Sequence, residues 1–166
     1  LAAMKRMFGY LKKHPNGQTI IDPSIPKPQP ETSEDHLWQE FYPYAEEQIP
    51  QDAPEPRGKT AHMSCWVDAS HAPDKVNRRS VTGVLLKVFN TVVKSVSKRQ
   101  RTVETSSYGA ELIAARTAVD LIIEYRYKLR MLGVPVTEPT LMYGDNMAVV
   151  LNTTDPSSTL KKKHHS

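Results

Sequence analysis

The prolines divide this chain. Most of its 13 fall before residue 60, among Glu, Asp and Gln, with only short apolar groups such as Thr19-Ile20-Ile21 and the stretch from Trp38 to Tyr44. Proline removes a backbone donor and fixes φ, so no long helix or central strand runs through such a stretch. One helix fits ahead of it. Met4, Met7, Phe8 and Leu11 recur at helical intervals with basic residues between, and His14-Pro15-Asn16-Gly17 stops the pattern. Residues 17–60 read as a Pro-rich linker with room for one short strand and one short helix.

From Ala61 the texture changes, and residues 61–166 read as the domain. Residues 62–68 form an apolar run of strand length, 74–79 a polar turn, and 80–88 a second run rich in β-branched residues. Asn90 turns the chain into a third run at 91–97. Three strands on short loops predict an antiparallel meander. A basic loop, Lys98-Arg99-Gln100-Arg101, leads to Ser106-Ser107, residue types that cap helices. The longest helical pattern follows over 108–132, with Leu112, Ala115, Val119, Ile122 and Leu129 as its expected apolar face and Gly133-Val134-Pro135 as its stop. A short strand at 140–144 and a short helix at 146–151 complete the order β-β-β-α-β-α. That order implies an α/β fold with a mixed sheet flanked by helices.

Hydrophobic residues make up 39% of the chain, enough for one real core given that the prolines concentrate the deficit in one region. The single cysteine, Cys65, excludes an intramolecular disulfide framework and fits a reducing, intracellular compartment; beside Trp66 in a strand, it is expected in the core. No apolar stretch approaches the ~20 residues that span a bilayer, so no membrane partner is expected. A net charge of +4 favours a polyanionic partner. The chain opens on Leu1 within a helical pattern and closes on Lys161-Lys162-Lys163-His164-His165-Ser166, and so reads as a piece of a longer polypeptide.

Three acids stand where a metal-dependent nuclease needs them. Asp68 ends the run Met63-Ser64-Cys65-Trp66-Val67-Asp68, Glu111 lies in the first turns of the long helix, and Asp145 ends Thr140-Leu141-Met142-Tyr143-Gly144-Asp145. Brought together, three carboxylates repel unless divalent cations neutralise them. Phosphodiester hydrolysis suits two such ions roughly 3.5–4 Å apart, one serving the attacking water and one the leaving oxygen. Each acid also has an ordinary alternative, as a turn residue, a cap or a complement to the helix dipole.

The surrounding residues carry a resemblance. Trp66-Val67-Asp68-Ala69-Ser70, Asn77-Arg78-Arg79-Ser80-Val81-Thr82-Gly83, the stretch from Ser97-Lys98-Arg99-Gln100 to Ser106-Ser107-Tyr108-Gly109-Ala110-Glu111, and Tyr143-Gly144-Asp145-Asn146 occur in that order. Together they resemble the ribonuclease H domain of copia-type LTR retrotransposon Pol polyproteins, over about residues 63–151. Residues 1–16 resemble the tail helix of the adjoining reverse transcriptase or connection region.

The resemblance implies a ribonuclease H-like fold, truncated at its C-terminus, that cleaves the RNA strand of RNA–DNA hybrids during reverse transcription. It implies Asp68, Glu111 and Asp145 as catalytic metal ligands for two Mg²⁺ ions, with Mn²⁺ as the alternative metal. Arg78, Arg79, Lys98, Arg99 and Arg101 are then candidates for hybrid phosphates, and Ser80 and Asn146 for a backbone or 2′-hydroxyl contact, although Asn146 reads equally as a helix cap. The expected partners are the hybrid and the neighbouring reverse transcriptase domain, in the cytoplasm, a virus-like particle or the nucleus. The family has a fourth acid just after a Lys-His pair; here the pair is Lys163-His164 and Ser166 stands at the matching place. A hydroxyl is a poorer Mg²⁺ ligand than a carboxylate, so the alternative is a catalytically impaired remnant that binds nucleic acid or supports a polymerase. An integrase or transposase of related fold usually brings zinc ligands or a helix-turn-helix, and one cysteine argues against that. Of the remaining residues, His71 reads as a surface-loop histidine, His164-His165 as a solvated terminal turn, and Tyr125 and Tyr127 as helix residues rather than a base-stacking platform.

Overall fold

A computed structural model of the chain describes residues 2–16, 20–27, 40–71 and 76–158. Trp38, Asp74 and Lys75 at the start of the polar turn, the Lys163-His164 pair, His165 and Ser166 lie outside the described residues. Helix α1 spans Ala2–Lys13. Then come strands β1 (Met63–Ser70), β2 (Val81–Val88) and β3 (Thr91–Arg99), helix α2 (Ser107–Met131), strand β4 (Leu141–Tyr143) and helix α3 (Met147–Thr154). The four strands form one mixed sheet in the order β3-β2-β1-β4. β1–β2 and β2–β3 are antiparallel, the expected meander, whereas β4 adds to the far edge of β1 in parallel. No described helix is long and apolar enough to cross a membrane.

Alternation along the strands builds the core. Met63, Cys65, Val84 and Leu86 are buried on one face together with Ala61, Ala118 and Val136. Trp66 and Asp68, at the intervening positions of β1, are exposed. The expected apolar face of α2 needs correction. Its buried stripe is Ala110, Ala114, Ala115 and Ala118, while Val119 is 39% exposed. Small side chains let this half of the helix lie close to the sheet around Ala69, and the larger Leu121, Ile122, Tyr125 and Leu129 fill the other half. The periodicity was legible, but size decided which stripe faces inward.

Residues before Ala61 are also more than a linker. Asp22 lies against the β2–β3 turn, its N–H donating to Thr91 Oγ1 (2.7 Å) and its carbonyl accepting from Asn90 N–H (3.2 Å). Farther on, the N–H groups of Arg57 and Ala61 each donate at 2.8 Å to the carbonyls of Gly133 and Pro135. Such main-chain ties leave no apolar period in the sequence, which hides them there. Gly133 itself has φ +71°, the left-handed conformation that ends α2 and favours glycine. Helix α1 packs against none of the other helices or strands among the described residues.

Leu86 is fully buried and Val119 is not. Leu86→Ala should lose about 2–5 kcal/mol in urea unfolding, and Val119→Ala less than about 1 kcal/mol. Equal losses would contradict this assignment of the core face.

Candidate metal centre

Topology brings the three acids together. β1 and β4 run parallel as neighbours, so their C-terminal ends lie side by side. β3 runs parallel to β1 across the antiparallel β2, so it too finishes at that end, and the following loop delivers α2 there N-terminus first. Asp68 lies near the end of β1, two residues short of the strand terminus. Glu111 sits in the first turns of α2, and Asp145 just beyond β4. One carboxylate oxygen from each lies within 4.8 Å of the other two.

The local sequence explains each placement. Ser106 caps α2 by accepting from Gly109 N–H at 3.2 Å, as its residue type predicts. Gly109 leaves room for the Glu104 carboxylate, which a Cβ there would strike. Two residues before Asp68 and Asp145 stand Trp66 and Tyr143, directly opposite each other across β1 and β4. Their rings stack at 5.1 Å and 24°, and the Lys87 ammonium lies 4.7 Å from the Trp66 ring. This pair was missed in the sequence, although an aromatic two residues before each strand-end acid is the signal for it. An open cavity of about 570 Å³ is lined by both rings, Leu85, Gly83, Asp68 and Asp145.

Gln100 was also missed. It lies within the basic loop but is 5% exposed, and its Nε2 donates to Thr82 Oγ1 (3.0 Å) and the Ala110 carbonyl (2.8 Å). It pins β2 to the turn of α2 that carries Glu111. An uncharged amide among three cations was the available hint. His71 Nε2 lies 3.1 Å from the Glu104 carbonyl oxygen, linking the end of β1 to the approach to α2.

Arg78, Arg79, Lys98, Arg99 and Arg101 are exposed, in loops and strand positions at the same end of the sheet. Lys98 is in register with Thr82, and Thr82 with Ala69, so it lies two strands, roughly 10 Å, from the residue after Asp68. Arg78 adopts φ +50°, an uncommon backbone for a non-glycine residue. One expectation needs correction. Ser80 is fully buried, its carbonyl accepting from Gln100 N–H at 2.8 Å, so it does not face a ligand. Asn146 caps α3, its Oδ1 accepting from Val149 N–H at 3.2 Å, which is the cap reading of that residue. Cys65 is buried as expected, and burial pushes its thiol up to about 11, which suits packing rather than reactivity.

Glu111 is 8% exposed. Burial raises its carboxyl above the usual range, opposed by a hydrogen bond from the Ala69 backbone and reinforced by the charges of Asp68 and Asp145. Three hard oxygen donors at this spacing fit Mg²⁺ or Mn²⁺, which would relieve the repulsion. No protein-family model matches the chain, and no solved structure matches it.

A raised carboxyl binds its proton more tightly folded than unfolded, so metal-free stability falls as pH rises above the ordinary 4.5. Asp145→Asn removes one repelling charge and should stabilise the metal-free protein at pH 7 by about 0.5–2 kcal/mol, measured by urea unfolding in EDTA. Added Mg²⁺ should reverse the ranking by stabilising the wild type more. A variant no more stable than wild type in EDTA would show that the acids do not strain the fold.

Proposed function

We propose that this chain is a metal-dependent endonuclease that cleaves the RNA strand of RNA–DNA hybrids. In this reading the mixed α/β sheet is a ribonuclease H-like fold, carried in a copia-type retrotransposon polyprotein beside its reverse transcriptase domain. The observation that carries the proposal is the convergence of Asp68, Glu111 and Asp145 within 4.8 Å at one end of the sheet. The ordered motifs around them and the exposed basic residues at the same end support it.

Bound between the carboxylates, Mg²⁺ would supply an activated water and neutralise charge developing at phosphorus. The chain's own part is to hold that charge in place. Asp68 and Asp145 come from neighbouring strand ends and Glu111 from a buried helical turn. Arg78, Arg79, Lys98, Arg99 and Arg101 would meet hybrid phosphates, which makes binding weaken steeply with salt. The serine at position 166, where the resemblance expects a fourth acid, favours the second reading, an impaired remnant that binds hybrids without cutting them.

The full chain with Mg²⁺ should cleave the RNA strand of a labelled hybrid, and Asp68→Asn should lower the rate at least about 100-fold, the upper end for losing a mere outer partner of a metal site. EDTA should abolish cleavage. A folded chain that binds hybrid but neither cuts it nor takes up two ions identifies the remnant. Cleavage unaffected by Asp68→Asn would refute the site.

A further inference from the structure

A second charged cluster lies away from the acids, and its contacts converge on the connection that leads to Asp145. Arg126 and Arg130, one turn apart on α2, both grip Glu47, which belongs to the stretch before the sheet. Arg126 forks onto the carboxylate with Nε and Nη2 at 2.8 and 2.7 Å, and Arg130 with Nη1 and Nη2 at 2.5 and 2.7 Å. Each guanidinium also reaches the loop between α2 and β4. Arg126 Nη1 donates to the Glu138 carbonyl (2.8 Å) and Thr140 Oγ1 (3.1 Å), and Arg130 Nη2 donates to the Val136 carbonyl (3.0 Å). The two side chains are only 12% and 11% exposed. Two cations this close and this sheltered need a counter-charge, and Glu47 is the carboxylate both of them bind.

We infer that Glu47, Arg126 and Arg130 form a clip that positions Asp145, setting the metal affinity of the acidic centre through β4. The inference rests on the metal-centre reading. β4 has three residues, pairs among the described residues only with β1, and leaves Leu141 and Met142 46% and 37% exposed. Apart from the stack of Tyr143 on Trp66, so short and lightly buried a strand has little of its own to fix its register. A slip by one residue would move Asp145 by roughly 3.3 Å and turn neighbouring side chains to the opposite face. Set against a cluster spanning 4.8 Å, such a shift removes one ligand from the centre. The clip holds the chain immediately before β4 at three points, and its forked, charge-assisted bonds have the geometric definition to do so. Both guanidiniums hold the Glu47 carboxyl down to about 2, Arg130 contributing most, so the clip stays charged at any neutral pH.

The test uses the full chain, with Mn²⁺ binding followed by electron paramagnetic resonance and amide exchange followed without metal. In Glu47→Ala and Arg126→Gln, still folded by circular dichroism, the Mn²⁺ dissociation constant should rise about 10-fold or more, and exchange should quicken at residues 141–145. Glu47→Gln, which keeps one carbonyl acceptor, should fall between these variants and wild type, and it decides the matter if Glu47→Ala unfolds. Arg116→Ala breaks the exposed Arg116–Asp120 pair elsewhere on α2 and should change neither readout. If the clip only adds stability, its variants would melt at a lower temperature yet keep Mn²⁺ affinity within twofold of wild type, which would overturn the inference. Should wild type bind no Mn²⁺, the metal-centre reading fails, and the exchange at residues 141–145 alone decides whether the clip holds β4.

Discussion

Strand β1 pairs on both edges, antiparallel to β2 and parallel to β4, and the rest of the domain is hung on that double pairing. Its inward residues Met63, Cys65 and Ala69 supply both parts of the core, and α2 packs on them. Its outward residues Trp66 and Asp68 carry the aromatic stack and the first acid. Because β4 is parallel to β1, the two strand ends that bear Asp68 and Asp145 emerge together. An antiparallel β4 would have sent Asp145 to the other end of the sheet.

The chain concentrates stability and strain in different places. The hydrophobic half of α2, from Leu121 to Leu129, covers the apolar end of the sheet, while the alanine half approaches the acids. Alanines bury little area but permit close approach, which brings Glu111 within reach of two strand ends. Burial and like charge make that carboxylate uncomfortable in its charged form. A folded domain tolerates such a cluster where something else compensates, and a divalent cation is the simplest compensation for three converging carboxylates.

Much of the architecture was legible because it follows from local chemistry. The element order along the chain, the Ser106 cap and the glycine stop at Gly133 could be read from residue type and spacing, whereas the three acids stood out only through the resemblance of the blocks around them. What escaped depends on side-chain size and on contacts distant in sequence. Val119 was expected inside, yet the sheet accepts the alanine stripe instead. Ser80 looked available as a polar residue beside two arginines, but it is fully buried. Glu47 stands 79 and 83 residues from its two arginines and in a proline-rich stretch, so no local pattern announces its place in the domain.

The central claim is that Asp68, Glu111 and Asp145 form a metal centre, and anomalous diffraction from a Mn²⁺-soaked crystal tests it most directly. A manganese peak at direct coordination distance, roughly 2 Å, from oxygens of these three carboxylates is the predicted result. Well-ordered carboxylates in a manganese-bearing crystal with no peak among them, or with a lysine or arginine folded in to neutralise them, would contradict it.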